Sequence, residues 1–454
     1  MLFHQRQFLP YAAGAPNLHT LSPSSSANRV LVSTDRSVSL LDYTHGEYSL
    51  RELAIEELSR EDVNVIVSGV IECPGGRDRA VVAFAVPVAD KVKLYLQVIP
   101  LAAGQRDKQP RSPSPRAREP TSTGHPSTRF ELGAAPSLVM SVRALSTTGT
   151  EVFYGVILFR GTMMVAFGFV DDKIDTATPS TQVMWYMPSV CVRLSSEQFA
   201  NFFPELDAFQ HQVLAVDTLV SSSRDCAWIA FGCADGFVRV FRGRFHNKFV
   251  IGPLESKDYQ MDGPVTSVTL FQNDKQGRVP EELEGADTFD SIFAGCAADI
   301  DLDGHVELLL GTDRQVVLAY KRDSQEVAAN GKHAEPPASP TETDDPTGTI
   351  STIVLEPRRE STDDDDSAIG LPLESLDADS TAVEDEAPAP KWKLLPKQGW
   401  HFEAFGTIYS LLYRDVNRDG VRELLVASST GIYVLEADIT AVLRRLELAI
   451  GSSP

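Results

Sequence analysis

Cysteine is scarce and scattered: five in 454 residues (Cys73, Cys191, Cys226, Cys233 and Cys296), with no C-x-x-C pair and no histidine beside them at metal-ligand spacing. Neither a zinc site nor a disulfide framework is indicated, and reduced thiols in a cytoplasmic setting are expected. Long apolar runs are missing too. The longest, such as Val152 to Phe159, span about eight residues, far short of the roughly 20 a membrane-crossing helix needs. Met1 to Gly14 carries His4, Arg6 and Pro10 without an apolar stretch of signal-peptide length, and N-x-S/T acceptors do not occur, so neither secretion nor direct membrane insertion is expected. Signatures of catalysis are equally thin. G-x-S-x-G, H-E-x-x-H and G-x-x-x-x-G-K-[ST] are absent and the nine histidines are dispersed, so the expectation is no enzymatic activity and no required cofactor.

Basic charge is also short, and unevenly so. The formal charge is −22, and the segment Asp323 to Pro390, with 18 acidic against 3 basic residues, holds −15 of it. No basic stripe is left to displace counterions from phosphate, which argues against nucleic-acid binding. That segment includes Asp363-Asp364-Asp365-Asp366 and is rich in Pro, Ser and Thr, while Gly104 to Arg129 is a basic Pro/Ser stretch with Ser112 and Ser114 each before proline. Neither holds enough apolar surface to offset its ordering entropy, so both 104–129 and 323–390 are expected to be disordered loops, either regulated tails or tolerated insertions.

What remains repeats. An apolar strand, a polar turn, a second apolar strand, a tight turn and a third strand recur from Val142 to Val170, from Val213 to Phe241, from Ser291 to Tyr320 and from Ile408 to Leu435; Leu18 to Tyr43 and Val63 to Ile99 fit more loosely, and Val265 to Phe271 begins a seventh unit. Such units cannot cover their own faces, so they must stack. Radial stacking of small antiparallel sheets gives an all-β propeller, expected to be seven-bladed and to occupy residues 1–454 as one domain; an open sandwich or two smaller all-β domains is the alternative. The near-continuous apolar runs VFYGVILF, WIAFGC and ELLLG suit sheets covered on both faces. A propeller's channel can bring distant carboxylates together for hydrolysis, but no pair is singled out.

Two units share a sharper loop. Asp299, Asp301 and Asp303 alternate ahead of Gly304 with Glu307 four residues beyond the third, and Asp415, Asn417 and Asp419 precede Gly420 and Glu423 in the same spacing. Alternating oxygen ligands, a sharp glycine turn and a trailing carboxylate can wrap one Ca²⁺. The first set is the stronger candidate, since the second has Asn417 and places Arg418 and Arg422 beside the site. The same side chains can instead cap the turn's own amides without metal. An EF-hand is excluded, because the twelfth loop positions are Leu310 and Val426 and the flanks read as strands. The loop resembles the FG-GAP repeat of integrin-type propellers, where it joins two strands of a blade.

Two short helical pieces interrupt the β pattern. Ser195 to Gln198 reads as a capping box ahead of Phe199, Phe202, Phe203 and Pro204, and Asp438 can cap an amphipathic helix over 438–449 bearing Ile439, Val442, Leu443 and Leu446. Each either docks a partner or covers an edge of its own domain.

Taken together, Asn201 to Leu206, Phe231 to Val240, Phe289 through Asp299 and Glu307 to Tyr320, and Asp415 to Leu435 resemble the kaptin family of KICSTOR subunits; the likeness is weak before Val142. The resemblance implies a non-catalytic scaffold subunit, paired with a second FG-GAP propeller protein and a very large partner. That assembly holds a GTPase-activating complex for the Rag GTPases at the lysosomal or vacuolar surface in amino-acid sensing and negative regulation of TOR signalling. Membrane association would then run through partners. The alternative from the same family is an actin-associated propeller, which an acidic surface does not favour. The chain also departs from the family. Only Gln272 to Thr288 follows the strand at Val265 to Phe271, so the fifth blade is expected to be incomplete, completed from elsewhere in the chain, or shortened in the sequence itself.

Overall fold

Each blade begins with a strand whose neighbours in space are the first strands of the blades before and after it, and this closes a ring. The computed structural model describes residues 3–11, 14–20, 29–73, 78–101, 127–171, 190–220, 226–246, 249–272, 283, 291–322, 350–355, 392–396, 400, 402–440, 443–444 and 447. After β1 (Phe3–Pro10), blade one is β2 (Asn17–Thr20), β3 (Val30–Ser33), β4 (Val38–Thr44) and β5 (Glu47–Glu52); blade two is β6 (Asn64–Ile71), β7 (Arg79–Val88), β8 (Lys91–Pro100) and β9 (Thr128–Leu132). Blade three is β10 (Leu138–Leu145), β11 (Val152–Arg160), β12 (Met163–Asp171) and β13 (Val192–Arg193); blade four is β14 (Val213–Val220), β15 (Cys226–Cys233), β16 (Phe237–His246) and β17 (Phe249–Gln260). Blade five opens with β18 (Ser267–Gln272), blade six with β19 (Ile292–Ala298), β20 (Glu307–Thr312) and β21 (Val316–Arg322). There follow β22 (Ile350–Leu355), β23 (Trp392–Leu394) and β24 (Phe402–Glu403), then blade seven, β25 (Ile408–Arg414), β26 (Glu423–Ser428) and β27 (Gly431–Ala437).

The first strands follow one another around the ring in the order β2, β6, β10, β14, β18, β19, β25 and back to β2. The fold is a seven-bladed β-propeller. Its core is divided accordingly: the described residues form seven apolar clusters, each shared by two neighbouring blades. The second strand of a blade is covered on both faces, which is why β20 and β26 are buried throughout and β11 up to Arg160, with apolar residues dominating all three. Side chains join the blades as well. Ser68 Oγ donates to Ser33 Oγ at 2.6 Å, linking blades two and one, and the Leu270 amide donates to Asp217 Oδ2 at 2.7 Å, linking blades five and four.

The ring is locked by β1, which pairs antiparallel with β27 from Phe3 opposite Ala437 to Pro10 opposite Gly431. Blade seven is thus built from both ends of the described chain. Phe3, 2% exposed, anchors the joint with its ring edge-on to Trp400 and Tyr413.

Blade five is completed from elsewhere: β18 pairs antiparallel with β22, Ser267 opposite Leu355 through Gln272 opposite Ile350. This corrects the expectation that 323–390 contains no packed element. The run Ile350-Ser-Thr-Ile-Val-Leu355 is rich in β-branched residues and satisfies an edge that β18 would otherwise leave open. The basic loop also ends earlier than expected. Thr128 and Arg129 belong to β9, where the Arg129 guanidinium lies 3.7 Å from the Tyr95 ring centroid. The remainder of both stretches, 104–126, 323–349 and 356–390, lies outside the described residues.

The capping box forms as its residues dictate: Gln198 N donates to Ser195 Oγ and Ser195 N to Gln198 Oε1 at the start of α1 (Ser196–Phe202), with α2 (Pro204–Asp207) following. Phe199, Phe202 and Leu206 are buried between blades three and four, with Phe202 5.6 Å from Phe153. At the other end, residues 439–440, 443–444 and 447 are helical, with Ile439 and Leu443 exposed, while Val442 and Leu446 lie outside the described residues. All five cysteines are free thiols. No helix among the described residues is long and apolar enough to cross a membrane.

Candidate functional site

The two acidic loops each join the first strand of a blade to its second, in adjacent blades six and seven. They therefore open side by side on one face of the ring, tied by the Tyr413 hydroxyl, which donates to the Asp299 carbonyl at 2.9 Å. Their backbones match. The fourth and sixth loop positions are left-handed in both: Leu302 (φ 56°) and Gly304 (φ 87°), Arg418 (φ 67°) and Gly420 (φ 91°). A non-glycine residue held there is strained by roughly 1–2 kcal/mol, and side-chain caps offset it.

Those caps repeat from loop to loop. Asp299 accepts from the amides of Asp303 (3.1 Å) and Gly304 (3.0 Å), and Asp415 from those of Arg418 (2.6 Å) and Gly420 (3.2 Å). Asp303 Oδ1 accepts from His305 N and Asp419 Oδ1 from Val421 N, both at 2.8 Å. The trailing glutamates turn back under the loop, Glu307 Oε2 accepting from Ile300 N at 2.9 Å and Glu423 Oε2 from Val416 N at 2.6 Å. Both glutamates are buried, 0% and 2% exposed. Burial, reinforced by the negative charge of Asp301 in one case and of Asp419 and Asp415 in the other, pushes each carboxyl up to about 7.

The carboxylates converge as a cation site requires: oxygens of Asp299, Asp301 and Glu307 lie within 4.8 Å of one another, and so do those of Asp415, Asp419 and Glu423. Asn417 faces inward within its loop, its Oδ1 accepting from Asp419 N and its Nδ2 donating to Asp419 Oδ2. What the sequence did not single out is the occupant of the first loop. Lys321 Nζ sits 2.6 Å from Asp301 Oδ2, 2.5 Å from Asp303 Oδ2 and 3.2 Å from Glu307 Oε1. Burial pulls its pKa down, but the bonds to Asp301 and Asp303 and the charge of Glu307 outweigh that and hold it above the ordinary lysine range. Two of the three carboxylates that converge here, Asp301 and Glu307, are thus already held by Lys321, and a divalent ion among them would stand against an ammonium a few ångströms away.

Strand register explains the difference. Leu308 pairs with Tyr320 in blade six and Leu424 with Leu435 in blade seven, so the residue across from Glu307 is Lys321 and the residue across from Glu423 is Glu436. Glu436 accepts from the Tyr48 hydroxyl at 2.8 Å and lies 3.7 Å from Arg6 Nε. The signal that could have found Lys321 is the hairpin count from Glu307 through the turn at Asp313 to Gln315.

A second concave feature, a cleft of about 180 Å³ between blades three and four, is lined by Met140, Phe202, Leu219, Trp228 and Leu254 with the Glu72 and Arg143 ion pair among them. Glu72 and Arg143 neutralise each other, the third charged residue, Glu205, accepts from the Leu254 amide, and no histidine or cysteine lines the cleft.

Comparison with known proteins places a likeness on one part of this frame. Residues 188–289 match the family model described as KICSTOR complex protein kaptin, a stretch that contains α1, α2, blade four and β18. KICSTOR complex protein kaptin of Mus musculus is 30% identical over an alignment covering 27% of this chain and 35% of that protein, so the match spans about a third of the relative's length. Among solved structures, BBS1N in complex with ARL6DN is 10% identical with a TM-score of 0.34, covering 95% of this chain and 96% of that one. The Chaetomium thermophilum Nup170 NTD–Nup53 complex is 12% identical with a TM-score of 0.32, covering 100% and 64%. At those scores the structural likeness adds nothing to the fold, which rests on the closed ring itself. Over blade four and the helices that wedge it against blade three, the chain is similar to kaptin.

Proposed function

We propose that this protein is a non-catalytic scaffold subunit of a KICSTOR-like complex. The observation that carries the reading is the kaptin-like match at 188–289, a stretch that takes in α1, α2, blade four and β18. In this reading the propeller is a rigid hub. Its blades are welded by seven shared cores, and its faces carry exposed aromatic residues such as Phe405, 75% exposed on a loop fixed by the Tyr433 hydroxyl and the Thr430 hydroxyl. A large apolar ring held out on a hydrogen-bonded loop costs little further ordering when a partner covers it. The acidic loops have a structural role in this reading, and no residue is assigned to catalysis.

At the finer level we assign it recruitment of a Rag-regulating GTPase-activating complex to the lysosomal surface through partner subunits. The test is co-purification with the endogenously tagged full chain, with and without amino-acid starvation. Recovery of a second propeller subunit and the GTPase-activating complex supports the reading. Recovery of actin filaments in their place, or of no stable partner, overturns it.

A further inference from the structure

The Asp299–Glu307 loop gathers three carboxylates around a point that an ion from solution is not needed to fill. Glu307 is fully buried, while the Lys321 side chain is 26% exposed, so this is no loose surface pair of the kind that contributes nothing measurable. A buried carboxylate left without a counter-charge is strongly disfavoured. The loop could meet that demand with a metal or with a side chain, and the register of β20 against β21 delivers a side chain. The neighbouring loop is the internal control. It has the same left-handed positions, the same aspartate caps and the same buried glutamate, yet the position one strand across is Glu436.

We infer that the Asp299–Glu307 loop is a cation site whose ion is the chain's own Lys321, a tethered ammonium standing where the loop's spacing implies a divalent metal, and that this loop is closed to Ca²⁺ and indifferent to it. A tethered cation has consequences an exchangeable one lacks. It cannot be chelated, it does not follow the ambient Ca²⁺ level, and it ties the third strand of blade six to the connection between the first two. The join between blades six and seven, which includes the Tyr413 bond to the Asp299 carbonyl, is thereby made independent of metal supply. The inference does not depend on the scaffold reading, and either can fail without the other.

The test uses the purified full chain and Ca²⁺ alone as probe. Reductive methylation read by mass spectrometry should label Lys321 roughly tenfold or more slowly than Lys93, because its nitrogen is engaged by three carboxylates that must release it first, and millimolar Ca²⁺ should leave that protection unchanged. Lys321→Met should lower the melting temperature by several degrees in EDTA and recover part of the loss in Ca²⁺, because the emptied cluster becomes available to a metal. Lys321→Arg should stay closer to the native protein. Faster labelling of Lys321 on adding Ca²⁺, or a Ca²⁺ stabilisation of the native chain that Asp301→Asn abolishes, would show that metal takes the site and would overturn the inference. So would a Lys321→Met protein that melts like the native one in EDTA. If that variant does not fold, the labelling of the native chain decides alone.

Discussion

The loop after β19 and the loop after β25 are two solutions to one problem. In each, a chain reversal at the ring's face needs left-handed backbone at two positions, and aspartate side chains cap the amides that the reversal exposes. In each, a glutamate reaches under the loop to bond a buried amide and so brings a carboxylate out of water. From there they diverge. Blade six supplies Lys321 to that carboxylate, whereas blade seven supplies Glu436 and leaves Glu423 among acidic neighbours. Local spacing therefore sets the turn, and a residue across the sheet sets its electrostatics. Two loops that look interchangeable in sequence should respond oppositely to the same substitution.

The largest expected effect tests that opposition. Glu307→Gln keeps an oxygen for the Ile300 amide but turns an amide NH₂ toward the Lys321 ammonium, so a donor meets a donor and a counter-charge is lost. The expected cost is about 1–3 kcal/mol. Glu423→Gln keeps the bond to the Val416 amide and turns its NH₂ toward Asp415 and Asp419, while a buried charge without a cation disappears. It should be neutral or stabilising by up to about 1 kcal/mol. Denaturant unfolding of the two variants reads the difference. Equal losses would break the comparison and show that the shared bond to the loop amide is all that matters.

A smaller effect sharpens it by transplanting the device. Glu436→Lys puts an ammonium across from Glu423, at the cost of the acceptor for the Tyr48 hydroxyl and of the neighbour of Arg6. Gains and losses should nearly cancel, within about 1 kcal/mol. The informative quantity is the coupling: combined with Glu423→Gln, the substitution should lose about 0.5–1 kcal/mol of favourable interaction in a double-mutant cycle. Zero coupling would mean that cross-strand position alone does not deliver the cation.

Much of this frame is legible in sequence, and the illegible parts share a cause. The apolar runs at Val142, Val213, Val265, Ser291 and Ile408 all mark blade openings, and the near-continuous runs that follow them, VFYGVILF and ELLLG among them, are legible because a strand covered on both faces must be apolar along its length. Ser195 to Gln198 announces α1 because a capping box is a local device. The residues that complete the structure from a distance do not announce themselves. Phe3–Pro10 reads FHQRQFLP, too polar to suggest a strand, yet it closes the ring because β27 has an edge to fill. Ile350–Leu355 is an apolar run hidden in an acidic stretch whose overall composition argues against packing. Lys321 looks like one more charge at the end of a strand. Its meaning depends on register, which is a property of two strands together.

The smallest expected effect extends the comparison to a third carboxylate that has no cation. Asp217, on the first strand of blade four, accepts from the amides of Leu270 and Thr218. Burial, against the pull of those two bonds, pushes its carboxyl up to about 6 from 3.8. The folded chain thus holds this proton more tightly than the unfolded chain does. Asp217 favours folding most below pH 3.8, and that contribution is lost as the pH rises to about 6. Asp217→Asn keeps an oxygen for the Leu270 amide, gives up the acceptor for the Thr218 amide and does not titrate. If a carboxylate without a cation behaves as Glu423 does, the variant should gain a degree or two of melting temperature relative to the native protein as the pH rises from about 4 to neutrality. Thermal melts across that range distinguish this from a purely structural loss, which would lower the variant by a similar amount at every pH.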